Sequence, residues 1–192
     1  ISSTSVNDLS LQPSGDTIVI SGNNVTKVFD YRGSNGASAN WVQRGSTISQ
    51  SGINAISPTG NIIAISDTGS SASNSQCGTV IAARGNVYIY AWQSNSWTLK
   101  DAMDGCDVTD LPENIDPQNP NPWIFFGYSL DFTSAGNYLL IGSRTEHRVT
   151  TDFNTVQFSI AGTYQIYHID SELKYGTAYW PGFLYSGSNG LV

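Results

Sequence analysis

Charged side chains are scarce in this chain of 192 residues, since Asp, Glu, Lys and Arg together make up only 12% of it. The 15 acidic residues outnumber the 8 Lys and Arg, which gives a formal net charge of −7 at pH 7. The few basic residues are scattered along the sequence, whereas a surface that binds phosphate needs them clustered. The composition therefore predicts that nucleic acid is not a partner.

Long apolar runs and helical periodicity are also missing. No run approaches the roughly 18 apolar residues that can cross a bilayer, so no membrane span is expected. Apolar residues do not recur at helical spacing in any window, so very little helix is expected. The first residue is Ile rather than an initiator Met followed by a signal-peptide pattern, and we expect a processed or excised piece.

Residues that commonly carry catalysis are few. Only two histidines, His147 and His168, are present, and no Gly-x-Ser-x-Gly elbow occurs. Nothing singles out a pair of carboxylates of the kind that glycoside hydrolases use. The sequence therefore predicts that the protein is not an enzyme, with a glycan-active enzyme as a less favoured interpretation, and that it needs no cofactor.

An internal repeat is the most informative feature that the chain does contain. Residues 6–21, 54–66 and 129–142 align as an apolar strand, a turn and a second apolar strand. The turn glycines, 45 and 76 residues apart, are Gly15, Gly60 and Gly136. A third strand follows each repeat, and the tyrosines that end these strands are Tyr31, Tyr90 and Tyr167. Repeats of this kind indicate a propeller-type array.

The repeat predicts an all-β fold, a single domain built as a β-propeller-like array of about three four-stranded blades plus the start of a fourth. The blades are expected at about residues 5–48, 49–100 and 123–175. An acidic, proline-rich connection is expected at 101–122, and an extra strand or cap at 176–192. Both faces of the strand at 87–92 are apolar, which is typical of sheets that are covered on both sides.

The segment from Phe126 to Leu130 (FGYSL), followed by a turn glycine and an Ile-Gly-Ser close, resembles the FG-GAP-like repeat of extracellular and algal surface proteins. Residues 87–90 (VYIY) and 95–97 (NSW) resemble the end of that repeat. Residues 57–60 (SPTG) are nearly as similar to WD40-like and TolB-like propeller repeats. The resemblance implies a β-propeller fold. The chain lacks the Asp-x-Asp-x-Asp-Gly loop of integrin-type repeats, so the resemblance implies no calcium site.

Several polar residues are candidates for modification or metal binding. Asn24 begins the only N-glycosylation sequon, in the connection between two strands, and is predicted to carry a glycan. Cys77 and Cys106 lie in polar, loop-like stretches, which favours a disulfide over free thiols or a zinc site. The weak calcium candidates are Asp104, Asp107 and Asp110. Their spacing of three favours a solvated connection instead.

The predicted function is a non-catalytic structural or interaction module of an extracellular or cell-surface assembly, such as a filament or appendage subunit. Its expected partners are copies of itself or other surface proteins. The alternative is a lectin-like propeller that binds glycans through exposed aromatic rings. Four tryptophans are candidates for such contacts, although each also suits packing between blades: Trp92, Trp97, Trp123 and Trp180.

The ends of the array are expected to be covered, because three blades cannot close a ring and an open stack leaves apolar faces exposed. The chain is therefore expected to be part of a longer propeller or to bury its ends against neighbouring copies. In the second case an aromatic C-terminal segment would dock on the next copy: Tyr179, Trp180, Phe183, Leu184 and Tyr185.

Overall fold

The computed structural model describes residues 5–33, 40–69, 85–104, 123–150, 156–169 and 177–179. These residues form strands and turns and contain no helix. The first sheet contains β1 (Asp8–Leu11), β2 (Thr17–Gly22), β3 (Val25–Arg32) and β4 (Asn40–Gln43). The second contains β5 (Ile53–Ile56), β6 (Ile62–Asp67), β7 (Asn86–Gln93) and β8 (Ser96–Asp104). The third contains β9 (Trp123–Phe132), β10 (Tyr138–Thr150), β11 (Val156–His168) and β12 (Thr177–Tyr179).

Each sheet has four antiparallel strands that lie side by side in chain order. This confirms the predicted all-β fold of blade-like four-stranded sheets. The three repeats also share their turn geometry, because the backbone N–H of Gly15, Gly60 and Gly136 donates in each case to the carbonyl oxygen three residues earlier, at 2.8 Å. These glycines have φ of 81°, 71° and 73°, a left-handed conformation that glycine adopts without strain.

The strand register corrects one detail of the sequence alignment. Phe29 pairs with Ile18 as Tyr90 pairs with Ile63, so the equivalent of Tyr90 is Phe29 and not Tyr31. Tyr31 is instead the equivalent of Trp92, since the backbone N–H of each closes the same 2.8 Å hydrogen bond to the turn of its own sheet. The two-residue error keeps the side chain on the same face because strand side chains alternate with a period of two.

The third sheet extends beyond its expected boundary at residue 175. Its fourth strand is β12, which pairs with β11 through Tyr179 opposite Gln165. Tyr179, expected to dock on the next copy, therefore belongs to the protein's own third sheet. The expected start of a fourth blade lies outside the described residues, as do the other four residues of the predicted docking segment.

The sheets pack face to face in one repeated arrangement. In the first sheet, we call the face that carries Ile18 and Ile20 the leading face and the opposite face the trailing face. The equivalent faces of the other two sheets have the same names. The trailing face of the first sheet packs on the leading face of the second, with a shared core that includes Val19, Val28, Ile63, Ile65, Tyr90 and Trp97. The trailing face of the second sheet packs on the leading face of the third through a core that includes Ala64, Val87, Ile89, Phe126, Leu139 and Ile141.

A buried polar seam fixes the first of these junctions. The backbone N–H of Asn54 donates to Asp8 Oδ2 at 2.6 Å, and its side-chain amide donates to Ser21 Oγ at 3.1 Å. Ser10 Oγ in turn donates to Asn54 Oδ1. Because Asn54 is buried, sliding the sheets past each other would leave its amide without partners, at a cost of about 1–3 kcal/mol.

Candidate functional site

The connection from the first sheet to the second carries a tightly held arginine. Arg44 Nη1 donates to the carbonyl oxygen of Gly60 at 2.8 Å, and Nη2 donates to Asn61 Oδ1 at 2.6 Å. Its guanidinium carbon lies 4.6 Å from the ring centre of Trp92 and 5.3 Å from that of Trp97. The indole N–H of Trp97 donates to the Arg44 carbonyl oxygen at 2.9 Å. Arg44 therefore bridges the two sheets through both its side chain and its backbone.

The first sheet supplies a carboxylate beside this arginine. Asp30 Oδ1 lies 3.7 Å from Arg44 Nη1 and accepts a hydrogen bond from Thr17 Oγ1 at 3.1 Å. Burial lowers the pKa of Arg44 from its ordinary value, and the charge of Asp30 raises it in part. An arginine in this setting stays protonated at neutral pH, so it keeps all its N–H donors. The result is a fixed pair of opposite charges at the edge of the sheet junction.

An open cleft of about 730 Å³ lies over this pair. Its walls come from the first sheet, from the connection at 43–45 and from the β7–β8 hairpin. Two carboxylates, two guanidinium groups and two aromatic rings line it: Asp16, Asp30, Arg32, Arg44, Tyr31 and Trp92. Such a mixture can form hydrogen bonds in both directions and can offer an apolar ring face to a ligand.

Two equivalent aromatic pairs lie beside the cleft in neighbouring sheets. The ring centres of Tyr31 and Trp41 are 5.4 Å apart, and those of Trp92 and Trp97 are 5.2 Å apart. The first pair is exposed, at 44% and 45%, whereas Trp97 is buried and Trp92 is half-buried. Of the predicted contact tryptophans, Trp97 therefore packs between sheets, and Trp92 reaches the cleft.

Tyr31 and Trp41 are not among the contact residues that the sequence predicts. Their exposure follows from their position on the leading face of the first sheet, a face on which no other sheet packs among the described residues. The signal was present in the repeat, because Tyr31 and Trp41 form a pair equivalent to that of Trp92 and Trp97, which were selected.

That leading face is a large apolar surface. Leu9 and Leu11 are 53% and 54% exposed, and Ile18, Ile20 and Phe29 are half-buried. A small depression of about 170 Å³ on the same face is lined mainly by apolar groups. At the other end of the stack, Tyr138 and Leu140 on the trailing face of the third sheet are 38% and 41% exposed. Within the described ranges, one leading face and one trailing face are thus not covered by another sheet.

Asn24 occupies the second position of the two-residue turn between β2 and β3. Asn23 and Asn24 have φ of 50° and 62°, as the tight hairpins that join twisted strands require. The Asn24 side chain is exposed, so the geometry leaves room for a glycan. Its glycosylation stays a prediction.

The other predicted site residues are only partly placed. Asp104 is the last residue of β8, and Trp123 is the first residue of β9. Five lie outside the described residues: Cys77, Cys106, Asp107, Asp110 and Trp180. The predicted disulfide and calcium site therefore stay predictions. In the parts of the chain that the structure describes, no helix has the length and apolar character of a membrane span.

Comparison with known proteins shows no family for this chain. No protein-family model and no curated protein matches the chain. Among solved structures, the chain is similar to a putative 6-phosphogluconolactonase from Bacteroides uniformis, with 9% identity, a TM-score of 0.38 and 91% of this chain and 54% of that chain covered. It is also similar to the hydrazine synthase of Kuenenia stuttgartiensis, with 16% identity, a TM-score of 0.47 and 89% and 41% covered. The chain thus spans about half the length of these structures.

One prediction from the sequence is contradicted by this comparison. The chain was expected not to be an enzyme, yet one of the similar structures is that of a putative 6-phosphogluconolactonase. At 9% identity the similarity points to no substrate and no catalytic residue in this chain.

Proposed function

We propose that this protein is a structural and interaction module that assembles by stacking its sheets on those of a second copy. The leading face of the first sheet is the observation that carries the proposal. Leu11 and Ile18 are exposed or half-buried there, although Ile56 and Ile63, their equivalents in the second sheet, are buried under the first sheet. A sheet face with this composition is typical of a contact surface.

One free face is a leading face and the other is a trailing face, which are the two kinds of face that pack on each other inside the chain. At both junctions inside the chain, a trailing face packs on a leading face. Among the described residues, no sheet covers the leading face of the first sheet or the trailing face of the third, on which Leu140 is 41% exposed. A second copy can therefore repeat the internal junction in head-to-tail fashion, which is a heterologous contact that generates rings or filaments.

Charge supports the same pairing of faces. Lys27 is an exposed cation on the leading face of the first sheet, and Asp131 is an exposed anion on the trailing face of the third. Opposite charges on two facing surfaces steer encounter and disfavour pairing of either face with itself.

An extracellular or cell-surface setting and a propeller-repeat family of FG-GAP-like or WD40-like type belong to this proposal. The low content of charged residues supports the setting, and the repeat motifs support the family.

The proposal is tested by placing a charge on one free face at a time. Leu11→Lys alters the leading face of the first sheet, and Leu140→Lys alters the trailing face of the third. Leu99→Lys is the matched control, since Leu99 is a strand leucine that is 46% exposed and lies on neither free face. Circular dichroism and urea unfolding identify variants that fold as the parent does.

Light scattering across a concentration series then distinguishes the possible contacts. The parent and Leu99→Lys are expected to associate, and Leu11→Lys and Leu140→Lys are each expected to be monomeric. An equimolar mixture of those two variants is expected to form dimers, because each supplies the face that the other has lost. A parent chain that is monomeric at all concentrations overturns the proposal. So does a mixture that does not recover association, since this excludes the head-to-tail contact.

A further inference from the structure

We propose that the leading face of the first sheet carries a binding site for an arginine side chain of a partner protein. The site is the counterpart, one repeat earlier, of the groups that hold Arg44 on the second sheet. We call such a set of groups an arginine socket: a turn carbonyl oxygen, the side chain of the next residue, and a pair of aromatic rings. This inference does not rest on the association of the chain with itself.

The socket of the second sheet shows which chemistry this arrangement binds. The guanidinium of Arg44 donates to the carbonyl oxygen of Gly60 at 2.8 Å and to Asn61 Oδ1 at 2.6 Å. Its carbon lies 4.6 Å from the ring centre of Trp92 and 5.3 Å from that of Trp97. A planar cation that donates at its edge and stacks on aromatic rings with its face is a guanidinium rather than an ammonium.

The first sheet repeats the aromatic part of the socket. Tyr31 pairs with Trp41 across β3 and β4, as Trp92 pairs with Trp97 across β7 and β8. The ring centres are 5.4 Å apart at an interplanar angle of 60° in the first sheet, and 5.2 Å apart at 57° in the second. The first pair therefore presents its rings in nearly the same arrangement as the pair that binds Arg44.

The first sheet also repeats the polar part. The backbone N–H of Tyr31 donates to the carbonyl oxygen of Asp16, as that of Trp92 donates to the carbonyl oxygen of Asn61, both at 2.8 Å. Asp16 is therefore the equivalent of Asn61. Its side chain is exposed, and Asp16 and Tyr31 border the same open cleft. A carboxylate in place of the amide strengthens the bond to a guanidinium, because the acceptor is then charged.

The turn carbonyl that completes the first socket is that of Gly15, the equivalent of Gly60. The two glycines close equivalent turns, with φ of 81° and 71°. A Cβ on Gly60 would lie 3.1 Å from Gln12 Oε1 of the first sheet, whereas a Cβ on Gly15 would meet no atom within 4 Å. The turn of the first sheet is therefore open to an incoming side chain.

Exposure distinguishes the two sockets. Trp97 is buried and Trp92 is half-buried, whereas Tyr31 and Trp41 are 44% and 45% exposed. Within the described ranges, Arg44 is the arginine whose guanidinium lies over aromatic rings, and it occupies the second socket. The first socket therefore has exposed rings on which a guanidinium from another molecule can stack.

A second copy in head-to-tail contact does not repeat this arginine. The backbone N–H of Arg44 donates to the carbonyl oxygen of Val28, and the equivalent of Val28 in the third sheet is Ile166. Ile166 lies opposite Ala178, so an alanine stands where the first sheet has Arg44. We therefore assign the socket to an arginine of a different protein. The formal net charge of −7 favours a basic partner.

The test is an NMR titration at low salt with three end-blocked peptides, Gly-Arg-Gly, Gly-Lys-Gly and Gly-citrulline-Gly. Citrulline has the shape of arginine but no charge. The shifts of backbone and indole N–H signals give both the affinity and the place of binding. All proteins carry Leu140→Lys, so that association does not cover the first sheet. We expect the arginine peptide to bind with a Kd of about 1 mM and to move the Trp41 indole signal, and the other two peptides to bind at least about fivefold more weakly.

Variants then show whether the socket makes the contact. Tyr31→Ala and Trp41→Ala should each weaken binding of the arginine peptide about fivefold. Asp16→Asn, which keeps an acceptor but removes the charge, should weaken it about threefold. The matched control is Tyr128→Ala, because Tyr128 is an exposed tyrosine of the third sheet and lies outside the socket. It should bind as the parent does. Circular dichroism identifies the variants that fold.

The proposal is overturned if the arginine peptide leaves the Trp41 signal in place, if the citrulline peptide binds as tightly, or if Tyr31→Ala and Trp41→Ala bind as the parent does. Dissociation of associated parent chains by the arginine peptide also overturns it, because a second copy would then be the occupant of the socket. A parent chain that is monomeric overturns the assembly proposal alone, since the peptide measurements use a variant that does not associate.

Discussion

Replacing Arg44 with alanine should destabilise the junction of the first two sheets by about 3 kcal/mol. The change removes two hydrogen bonds from the guanidinium group, to Gly60 and Asn61, each contributing about 1 kcal/mol net. It also removes the stacking of the guanidinium on two indole rings, which contributes about 0.5–1 kcal/mol. The partly exposed ion pair with Asp30 adds about 0.5 kcal/mol.

The assay is equilibrium unfolding in urea, followed by circular dichroism and by tryptophan fluorescence. Trp92 and Trp97 should report the change directly, since their rings lie beside the lost group. Arg44→Lys is the matched control: it keeps the positive charge but cannot bond to two acceptors with a planar fork, so a loss of about 1–2 kcal/mol is expected. A loss below about 0.5 kcal/mol for Arg44→Ala would show that the arginine does not hold the sheets together.

Two further comparisons use pairs of equivalent or similar positions, with urea unfolding as the measurement. Gly85→Ala places a Cβ 2.3 Å from a backbone carbonyl oxygen of β9 and should lower the free energy of unfolding by more than about 3 kcal/mol. Gly15→Ala, at a similar φ and with no atom within 4 Å of the added Cβ, should lower it by about 1 kcal/mol, so equal losses would contradict the described packing. Ser66→Ala should leave stability unchanged or raise it by up to about 1 kcal/mol, because the buried Ser66 Oγ has no hydrogen-bond partner among the described residues. The equivalent change in the first sheet, Ser21→Ala, breaks two buried hydrogen bonds and should lower the free energy of unfolding by about 1–3 kcal/mol. A larger loss for Ser66→Ala than for Ser21→Ala would contradict these hydrogen-bond assignments.

The sequence predicted the parts of the fold that depend on local signals. Gly15, Gly60 and Gly136 mark the turns because each must adopt a positive φ, which other residues rarely do. The apolar alternation around them placed the first two strands of every sheet. The third strands were harder to align, since Phe29 and Tyr31 both suit an aromatic position and only the register distinguishes them.

The candidate site could not be predicted in the same way. Arg44 is a single arginine in a loop, and the Trp97 indole that bonds to it lies 53 residues further along the chain. Its other partners, Gly60 and Asn61, belong to the turn of the second sheet. Such a cluster arises from the packing of one sheet on another, so no pattern within either repeat reveals it.

Local sequence signals set which residues of a strand are apolar, whereas packing between sheets sets whether they are buried, and this explains why the free leading face indicates assembly. Each repeat codes for an apolar leading face, and its burial depends on whether another sheet packs on that face: among the described residues, Ile63 and Ile65 are fully buried, whereas Ile18 and Ile20 are not. When one face of a sheet stays in water, polar residues on that face usually alternate along each strand with apolar residues on the buried face. Leu9 and Leu11 instead keep this face apolar on the strand at the edge of the sheet. The first sheet therefore has the composition of an internal sheet of a stack, and such a composition is suited to a face that another sheet covers.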